Sequence, residues 1–438
     1  MVDLSKFVES LDGKAIYVYG LGQSGLSSVE ALIQSGAKVY AWDAKEEQRT
    51  KAHDVGSEIA DEDSIDYNLI GSLLLSPGIP LTHPEPHPVV TKAKEHDIEI
   101  VGDIEVLGRV LPDYIRTVGI TGTNGKSTTT ALLGHILSEC NVNSMIAGNI
   151  GTPVLGLDIQ EDLEVLVLEM SSYQIDLCPS FHPNIGILLN ISPDHIDRHG
   201  SLDQYAAVKA KIFGHHTRPI ISVDDQLSEE IFDVEAELGK APVLLSTKGS
   251  LPFETDRLKT LAGKHNHQNA LAAYYVCLQL ELSHEDIINA MESFPGLAHR
   301  QEIVKVIGNI SFINDSKATN AEATAKALST YENIYWILGG QSKDGGLKGL
   351  EEYADKIKKA YLIGEAAEEF TAWCEGEKIP FDRSAELSKA VVNAYKDARN
   401  QGEPSIILLS PACASWDQFK SFEHRGDVFK DLVLNLDE

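Results

Sequence analysis

A lysine and two hydroxyl side chains end the glycine-rich stretch Thr121-Gly122-Thr123-Asn124-Gly125-Lys126-Ser127-Thr128. An apolar run at 117–120 precedes it and residues 129–137 favour a helix, so the pattern predicts strand, loop and helix. Such a loop directs backbone N–H groups and one lysine at a polyphosphate, and a hydroxyl of Ser127 or Thr128 suits Mg²⁺. The usual spacing wants glycine where Ile120 stands, so this is a variant P-loop. We expect ATP binding; a plain turn with a surface lysine is the alternative.

A second glycine-rich turn, Gly20-Leu21-Gly22-Gln23-Ser24-Gly25, follows the apolar run 15–19 and precedes a helical stretch to about residue 34. The next predicted strand, 37–42, ends at Asp43. G-x-G-x-x-G with an acid at this distance is typical of sites for NAD, or for any ligand with a diphosphate and a ribose. Gly78 follows the strand at 73–75, at the edge where such sheets bind ligands. A tight turn without a ligand is the alternative.

Two further groups could hold metal near the first loop. Glu169 ends the apolar run 165–168, and an acid beside a P-loop is the usual holder of Mg²⁺; a solvated strand end is the alternative. His195 follows the predicted strand 185–189, where a metal ligand or a phosphate contact could lie. A lone loop histidine is more often structural.

A lysine stands on the apolar face of the helix predicted at about 202–213. Tyr205, Lys209 and Phe213 fall at i, i+4 and i+8 and share this face. Desolvation there disfavours the charged amine, and the neutral amine can react with CO₂ to give a carbamate, an oxygen ligand for Mg²⁺. The alternative is a lysine whose stem follows the surface and whose ammonium reaches water.

Three predicted strands of the last third, 310–313, 334–338 and 405–409, end in polar or glycine-rich loops. Parallel α/β sheets assemble their sites at this carboxyl edge. The cations expected around anions are Arg300, Lys317 and Lys343, although each could equally lie on a solvated surface. Before this region, Asn269 could contact a base edge and Asn266 could cap a helix.

The composition limits the class of protein. A chain of 438 residues should form about three domains, and we expect boundaries near 112 and 296. The net charge of −29 excludes the electrostatic footprint of a nucleic-acid binder. Five scattered cysteines without a C-x-x-C pair indicate neither zinc nor disulfides, and no apolar run is long enough to cross a bilayer. We expect a cytoplasmic monomer with small-molecule partners.

Taken together, the motifs resemble the Mur ligase family of ATP-dependent amide-forming enzymes. The pattern is closest to members that add D-glutamate to UDP-N-acetylmuramoyl-L-alanine. The matching segments follow the family's order along nearly the whole chain: 20–25, 76–78, 121–128, 148–151, 169–174, 194–198, 205–213, 265–269, 299–300, 314–320 and 410–419. The resemblance implies an α/β fold of three domains: Rossmann-like 1–112, central P-loop ATPase-like with a mostly parallel sheet 113–296, and Rossmann-like 297–438.

The resemblance also implies residue roles. It assigns one Mg²⁺ to Ser127 and Glu169, and a second to His195 and carbamylated Lys209, with Lys126 also catalytic. The ATP residues implied are Thr123, Asn124, Gly125, Lys126, Ser127, Thr128, Asn269, Arg300, Asp315 and Lys317. Those implied for the UDP substrate are Gly22, Gln23, Ser24, Asp43, Gly78, Asn149, Ser171, Gln174 and His195. D-Glutamate would meet Thr319, Lys343, Ser415 and Phe422, although Trp416 stands where leucine is common in the family.

Three other interpretations remain. An NAD-dependent dehydrogenase would explain the turn at 20–25 but leaves the P-loop without a role. A protein that hydrolyses ATP as a switch would explain the P-loop but not the lysine-bearing loops of the last third. Within the superfamily, a folate polyglutamate ligase is the runner-up, and the complete turn at 20–25 argues against it.

Overall fold

The structure is a computed structural model that describes residues 1–342 and 345–436. Its contacts divide the chain into two compact units, Met1–Glu254 with Lys264–Ser293, and Thr255–Gly263 with Phe294–Glu438. The first unit holds two β-sheets and the second holds one. All three are mostly parallel with helices between the strands, which confirms the predicted α/β class. The domain boundaries at 112 and 296 stay a prediction.

The first sheet has five parallel strands in the order β3-β2-β1-β4-β5. Its central strand β1 is buried along its whole length, as expected for an apolar run covered on both faces. The elements are α1 Ser5–Glu9, β1 Ala15–Tyr19, α2 Gln23–Gln34, β2 Val39–Trp42, α3 Glu46–Asp54, β3 Glu58–Ile59, β4 Ile70–Leu75, α4 Pro88–Glu95, β5 Glu99–Val101 and α5 Asp103–Val110.

The second sheet has six parallel strands in the order β11-β10-β9-β6-β8-β7. Strand β6, which leads into the P-loop, lies between β9 and β8, so the ends of these three strands meet at one edge. The elements are β6 Arg116–Thr121, α6 Lys126–Glu139, β7 Ser144–Gly148, β8 Val165–Glu169, α7 Ser172–Asp176, β9 Ile185–Leu188, α8 Ile196–His199, α9 Leu202–Ala210, β10 Arg218–Ser222, α10 Gln226–Glu237, β11 Val243–Leu245, α11 Lys264–Gln279 and α12 His284–Ser293.

The third sheet has six strands in the order β12-β13-β17-β14-β15-β16. Strands β12 and β13 form an antiparallel hairpin, and the other pairs are parallel. The elements are β12 Glu302–Ile307, β13 Ile310–Asn314, α13 Ala321–Thr330, β14 Ile334–Gly339, β15 Ile357–Ile363, α14 Ala367–Gly376, β16 Phe381–Ala385, α15 Leu387–Gln401, β17 Ser405–Leu409 and α16 Phe422–Leu434.

One hydrophobic cluster of the first unit takes side chains from both of its sheets, among them Val18 of β1, Leu168 of β8 and Leu188 of β9. The helix predicted at about 202–213 is shorter than expected: α9 ends at Ala210, so Phe213 lies beyond it. Tyr205 and Lys209 still share a buried face. No helix among the described residues is long and apolar enough to cross a membrane.

Candidate active site

The P-loop between β6 and α6 depends on two glycines. Gly122 and Gly125 have φ values of +152° and +88°, which side chains rarely adopt. A Cβ on Gly125 would also overlap the amide of Asn269. Helix α6 begins directly at Lys126, so the helix N-terminus with the backbone N–H groups of its first turn lies at the end of the loop. The predicted strand, loop and helix are confirmed.

The Lys126 side chain folds back over its own loop. Its Nζ donates to the carbonyl oxygens of Gly122 and Thr123, at 2.8 Å each. The hydroxyl-bearing residues Ser127 and Thr128 follow in the first turn of α6 and are buried. The loop therefore concentrates one ammonium, two hydroxyls and a helix N-terminus, the groups that bind polyphosphates.

Asn190 holds the P-loop from the neighbouring strand, and sequence reasoning missed it. Its Oδ1 accepts from the Asn124 backbone N–H at 2.9 Å, and its Nδ2 donates to the Asn124 carbonyl at 3.2 Å. The same Nδ2 donates to Gln268 Oε1 at 3.0 Å. The available signal was an asparagine just beyond β9, at the edge where the P-loop lies.

Glu169 ends β8 with a side chain that is 1% exposed. Its Oε1 accepts from Asn149 Nδ2 at 2.9 Å, while Oε2 is buried without a hydrogen-bond partner among the described residues. An unsatisfied buried carboxylate oxygen is costly unless a cation or donor meets it. Glu169 therefore suits a metal ligand. The described residues contain no cluster of three or more His, Cys, Asp or Glu side chains that could hold a metal ion.

Lys209 of α9 lies beneath the P-loop and is also 1% exposed. Its Nζ donates to the Gly122 carbonyl at 2.9 Å, an oxygen that Lys126 also contacts, and lies 4.5 Å from the centre of the Tyr205 ring. Burial, and secondarily the positive charge of Lys126, lowers the pKa of Lys209 well below its ordinary value. The structure thus brings Lys126 and Lys209 together at one carbonyl.

His195 lies at the start of the short helix α8, with a backbone φ of +52° and a side chain that is 47% exposed. Its Nε2 lies 3.5 Å from Asp194 Oδ2, and its ring packs against Tyr173 with centres 5.0 Å apart. These contacts hold it at the carboxyl edge of the second sheet, after β9. Its role as a metal ligand stays a prediction.

Asn269 lies on α11 beside the P-loop. Its side chain is buried; Oδ1 accepts from Thr129 Oγ1 at 3.3 Å and Nδ2 donates to Asn266 Oδ1 at 3.2 Å. Helix α11 begins at Lys264, so Asn266 lies inside the helix, and the alternative that it caps the helix is wrong.

The turn between β1 and α2 is closed by Asp43. Its two carboxylate oxygens accept from the backbone N–H groups of Leu21, at 2.7 Å, and Lys45, at 2.9 Å. Gly22 caps α2 with an ordinary φ of −64°, and a Cβ there would meet nothing within 4 Å. Gln23 and Ser24 begin the helix, with Gln23 exposed and Ser24 half-buried. Gly78 likewise leaves open space around its Cα. Gly22 and Gly78 are therefore not required by packing.

Of the residues predicted around the middle of the UDP substrate, two bind each other. Ser171 caps α7: its Oγ accepts from the Gln174 N–H at 3.3 Å, and Gln174 Oε1 accepts from the Ser171 N–H at 3.0 Å. This reciprocal pair is a capping box. Asn149, the third, binds Glu169 as described above.

In the second unit, the predicted nucleotide residues surround the end of β13. Asp315 is buried and accepts from Ser410 Oγ at 2.7 Å and from the Gln301 N–H at 3.2 Å. Burial raises the pKa of Asp315 to about 7, against these hydrogen bonds. The Lys317 Nζ lies 5.4 Å from the centre of the Phe422 ring, and Arg300 is half-buried in the same unit.

Arg425, which sequence reasoning missed, joins the loops that carry the predicted D-glutamate residues. Its guanidinium is fully buried and donates to Ser316 Oγ at 2.9 Å, Ser316 O at 2.8 Å and Cys413 O at 3.1 Å. These contacts connect the loop of Thr319 with the loop of Ser415. Burial lowers the pKa of Arg425 to about 10. Phe422 begins the same helix, Trp416 is 71% exposed, and Lys343 lies outside the described residues.

Comparison with known proteins agrees with this arrangement. The chain matches the family models for the Mur ligase MurD-like, N-terminal domain, at residues 14–102, and the Mur ligase middle domain, at residues 120–277. It is 44% identical to the UDP-N-acetylmuramoylalanine--D-glutamate ligase of Rhizobium meliloti (strain 1021), over 98% of both chains. The chain belongs to the Mur ligase family.

Other Mur ligases extend the comparison. The UDP-N-acetylmuramoylalanine--D-glutamate ligase of Phenylobacterium zucineum is also 44% identical, over 98% of both chains. The UDP-N-acetylmuramate-alanine ligase of Thermotoga maritima has the same fold, with a TM-score of 0.57 at 17% identity, covering 96% of this chain and 99% of that one. A MurF ligase of Thermotoga maritima, solved in complex with ADP, gives a TM-score of 0.55 at 16% identity over the full length of both.

Proposed function

We propose that this Mur ligase joins D-glutamate to UDP-N-acetylmuramoyl-L-alanine, with ATP converted to ADP and phosphate, in the synthesis of peptidoglycan precursors. The observation that carries the proposal is 44% identity with ligases of that name over 98% of both chains. The P-loop supports the ATP requirement, because its lysine, hydroxyls and helix N-terminus form a polyphosphate site.

We assign the phosphates of ATP to the P-loop residues Thr123, Asn124, Gly125, Lys126, Ser127 and Thr128. Asn269 is the residue proposed for adenine, because it is fixed directly beside Gly125. Arg300, Asp315 and Lys317 are the remaining residues that we assign to ATP. The carbonyl contacts of the Lys126 ammonium are short and neutral, so an anionic phosphate oxygen is the stronger partner.

We assign two Mg²⁺ ions to this site, one to Ser127 and Glu169 and one to His195 and Lys209 as its carbamate. The unpartnered Oε2 of Glu169 supports the first. The buried amine of Lys209 supports the second, since a neutral amine adds to CO₂ and releases one proton to give the carbamate. Mg²⁺ would neutralise charge on the phosphates. Supplying ¹³C-bicarbonate should give a carbamate signal in the NMR spectrum that Lys209→Met abolishes; equal spectra would contradict the carbamate.

We assign the UDP portion of the substrate to Gly22, Gln23, Ser24, Asp43 and Gly78. The two glycines support this, because their missing side chains serve no packing need and leave room for close approach of a ligand. Helix α2 directs the amides of its first turn toward a diphosphate. Asn149, Ser171, Gln174 and His195 are assigned to the muramoyl-alanine portion.

The proposed chemistry has two steps. A carboxylate oxygen of the alanyl residue attacks the γ-phosphoryl group, the bond to ADP breaks, and an acyl phosphate forms; Lys126 stabilises the charge that develops. The amine of D-glutamate then attacks the acyl carbon, the C–O bond to phosphate breaks, and the amine loses a proton. D-Glutamate is assigned to Thr319, Lys343, Ser415 and Phe422. No protein nucleophile is needed.

The test offers UDP-N-acetylmuramoyl-L-alanine and ATP with D-glutamate, L-glutamate, L-alanine or diaminopimelate in turn. Phosphate and the coupled product are measured together, by a colorimetric assay and by mass spectrometry. The proposal expects equal amounts of both with D-glutamate and little of either with the others. Phosphate release without an amide product, or a preference for another amino acid, would contradict it.

A further inference from the structure

Five side chains of the first unit stack in a row that we name the aromatic ladder: Arg198, Tyr173, His199, Tyr205 and Lys209. The Arg198 guanidinium lies 4.8 Å from the centre of the Tyr173 ring. Tyr173 stacks on His199 with ring centres 5.3 Å apart and planes 8° from parallel, and His199 packs against Tyr205, also at 5.3 Å. Lys209 Nζ, 4.5 Å from the Tyr205 ring centre, completes the row. The row thus holds three aromatic rings in contact, with the Arg198 guanidinium over the first of them, a favourable arrangement.

The two ends of the ladder contact the two glycine loops. At one end, Arg198 Nη1 donates to the Gly78 carbonyl at 2.9 Å and Nη2 to the Pro77 carbonyl at 3.4 Å. At the other end, Lys209 Nζ donates to the Gly122 carbonyl at 2.9 Å, and the Tyr205 hydroxyl lies 3.3 Å from Thr123 Oγ1. The ladder therefore connects the loop after β4 of the first sheet with the P-loop of the second.

The middle of the ladder is fixed by burial and hydrogen bonding. Tyr205 and His199 are both buried, and His199 Nε2 lies 2.9 Å from Ser172 Oγ. Aromatic side chains have two rotatable bonds and few rotamers, so a stack of rings transmits position better than a chain of flexible side chains. Arg198 also donates its backbone N–H to the His195 carbonyl at 3.0 Å, which ties the ladder to that histidine.

We propose that Arg198, Tyr173 and His199 are positioning residues that hold the Gly78 loop in register with His195 and the P-loop. The inference rests on the proposed function, in which Gly78 lies at the UDP substrate and the P-loop at ATP. The ladder sets the distance between the two substrates. Arg198, Tyr173 and His199 act through Gly78, His195 and Lys209 and touch neither reacting group.

Hydrogen exchange of the free protein tests the ladder without any ligand. Arg198→Leu removes the contacts to Pro77 and Gly78, and Tyr173→Leu removes the ring between Arg198 and His199. Both should speed amide exchange at 76–82 by about tenfold. Tyr173→Phe keeps the ring and should exchange as the parent does. Arg109→Leu is a remote control, because it removes another cation over a ring, that of Phe7, together with ion pairs to Glu99 and Glu105.

Steady-state kinetics supply the second measurement. Arg198→Leu should raise KM for the UDP substrate about tenfold with kcat and KM for ATP within about twofold of the parent. Tyr173→Leu should raise the same KM and also lower kcat about tenfold, because His195 loses its support. Arg109→Leu should lower the melting temperature without changing the kinetic constants.

The proposal would be overturned if residues 76–82 exchanged at the parental rate in both Arg198→Leu and Tyr173→Leu. Equal increases in the KM values for ATP and the UDP substrate would have the same consequence. Faster exchange throughout the chain, as in a globally destabilised variant, would also overturn it. Failure of the proposed function is a separate result. If the parent forms no product from UDP-N-acetylmuramoyl-L-alanine, the function is wrong, and the exchange experiment still decides whether the ladder holds the loop.

Discussion

The first unit contains the same local unit twice, a strand, a glycine-rich turn and a helix, and the two copies differ in what holds the turn. The turn from β1 to α2 is held by the carboxylate of Asp43, which accepts backbone N–H groups. The P-loop from β6 to α6 is held by the neutral amide of Asn190, which both accepts and donates. The Asp43 carboxylate thus places a negative charge beside its turn, whereas the Asn190 amide adds no charge beside the P-loop.

The two copies also differ in the first residue of the helix that follows the turn. Gln23 begins α2 after its Gly22 cap, and Lys126 begins α6 after its Gly125 cap. The turn from β1 to α2 thus offers backbone dipoles but no cation at its first helical residue. The P-loop adds the Lys126 ammonium and lies at the same edge of its sheet as the buried acid Glu169. Under the proposed function, one backbone design holds a diphosphate in one copy and stabilises the transfer of a phosphoryl group in the other, and the difference lies in one side chain at the helix start.

Replacing the two first helical residues gives the largest contrast. Lys126→Ala should lower kcat by about 1000-fold, because it removes the ammonium that faces the developing charge. Gln23→Ala should change only KM for the UDP substrate, by about threefold, since the amides remain. Initial rates of phosphate release with each substrate varied measure both effects. Comparable losses of kcat in the two variants would show that the turns do not differ in this way.

The glycines that packing requires should control stability. Gly25→Ala places a Cβ on the carbonyl oxygen of Gly20 and should destabilise the fold by about 3 kcal/mol. Gly22→Ala is the matched control, expected to lie within about 1 kcal/mol of the parent, because its Cβ meets nothing within 4 Å. Urea denaturation of both variants measures their free energies of unfolding, and equal midpoints would refute the packing argument.

Replacing Asn190, whose side chain holds the P-loop, tests why an amide stands at this position. Asn190→Asp introduces a carboxylate beneath the phosphates and should raise KM for ATP by about 30-fold. Asn190→Ala, which loses the hydrogen bonds without adding charge, should raise it by about fivefold. KM for the UDP substrate is the internal control and should stay at the parental value. A larger increase in KM for ATP in Asn190→Ala than in Asn190→Asp would mean that charge is not the reason for the amide at this position.

A modest effect is expected at Gly22 itself. A methyl group there fits the free protein but should hinder the diphosphate, so Gly22→Ala should raise KM for the UDP substrate by about fivefold. Isothermal titration with UDP checks this directly. Unchanged UDP affinity would remove Gly22 from the substrate site.

Both turns were predictable from sequence, because glycine spacing and apolar runs are local signals. The same holds for Glu169 at the end of β8. The spacing of Tyr205 and Lys209 predicts a shared face but left open whether the amine reaches water, and the structure buries it. The helix of Lys209 ends at Ala210, earlier than its aromatic spacing indicates, because apolar periodicity does not mark a helix end.

The partners that sequence could not supply are distant along the chain. Asn190 contacts Asn124 across 66 residues, and Arg425 contacts Ser316 across 109. The pairing of β6 with β9 brings Asn190 to Asn124, and the packing of α16 against β13 brings Arg425 to Ser316, so no local pattern announces them. The aromatic ladder is similar, since its members come from α7, α8 and α9 and meet only in the fold.

The acyl phosphate at the centre of this account can be tested by oxygen transfer. UDP-N-acetylmuramoyl-L-alanine labelled with ¹⁸O in both oxygens of its terminal carboxylate is converted with ATP and D-glutamate, and the released phosphate is analysed by mass spectrometry. Because one carboxylate oxygen leaves with the phosphate, we expect one ¹⁸O atom in each phosphate and one in each new amide. Product formed with unlabelled phosphate would contradict the account.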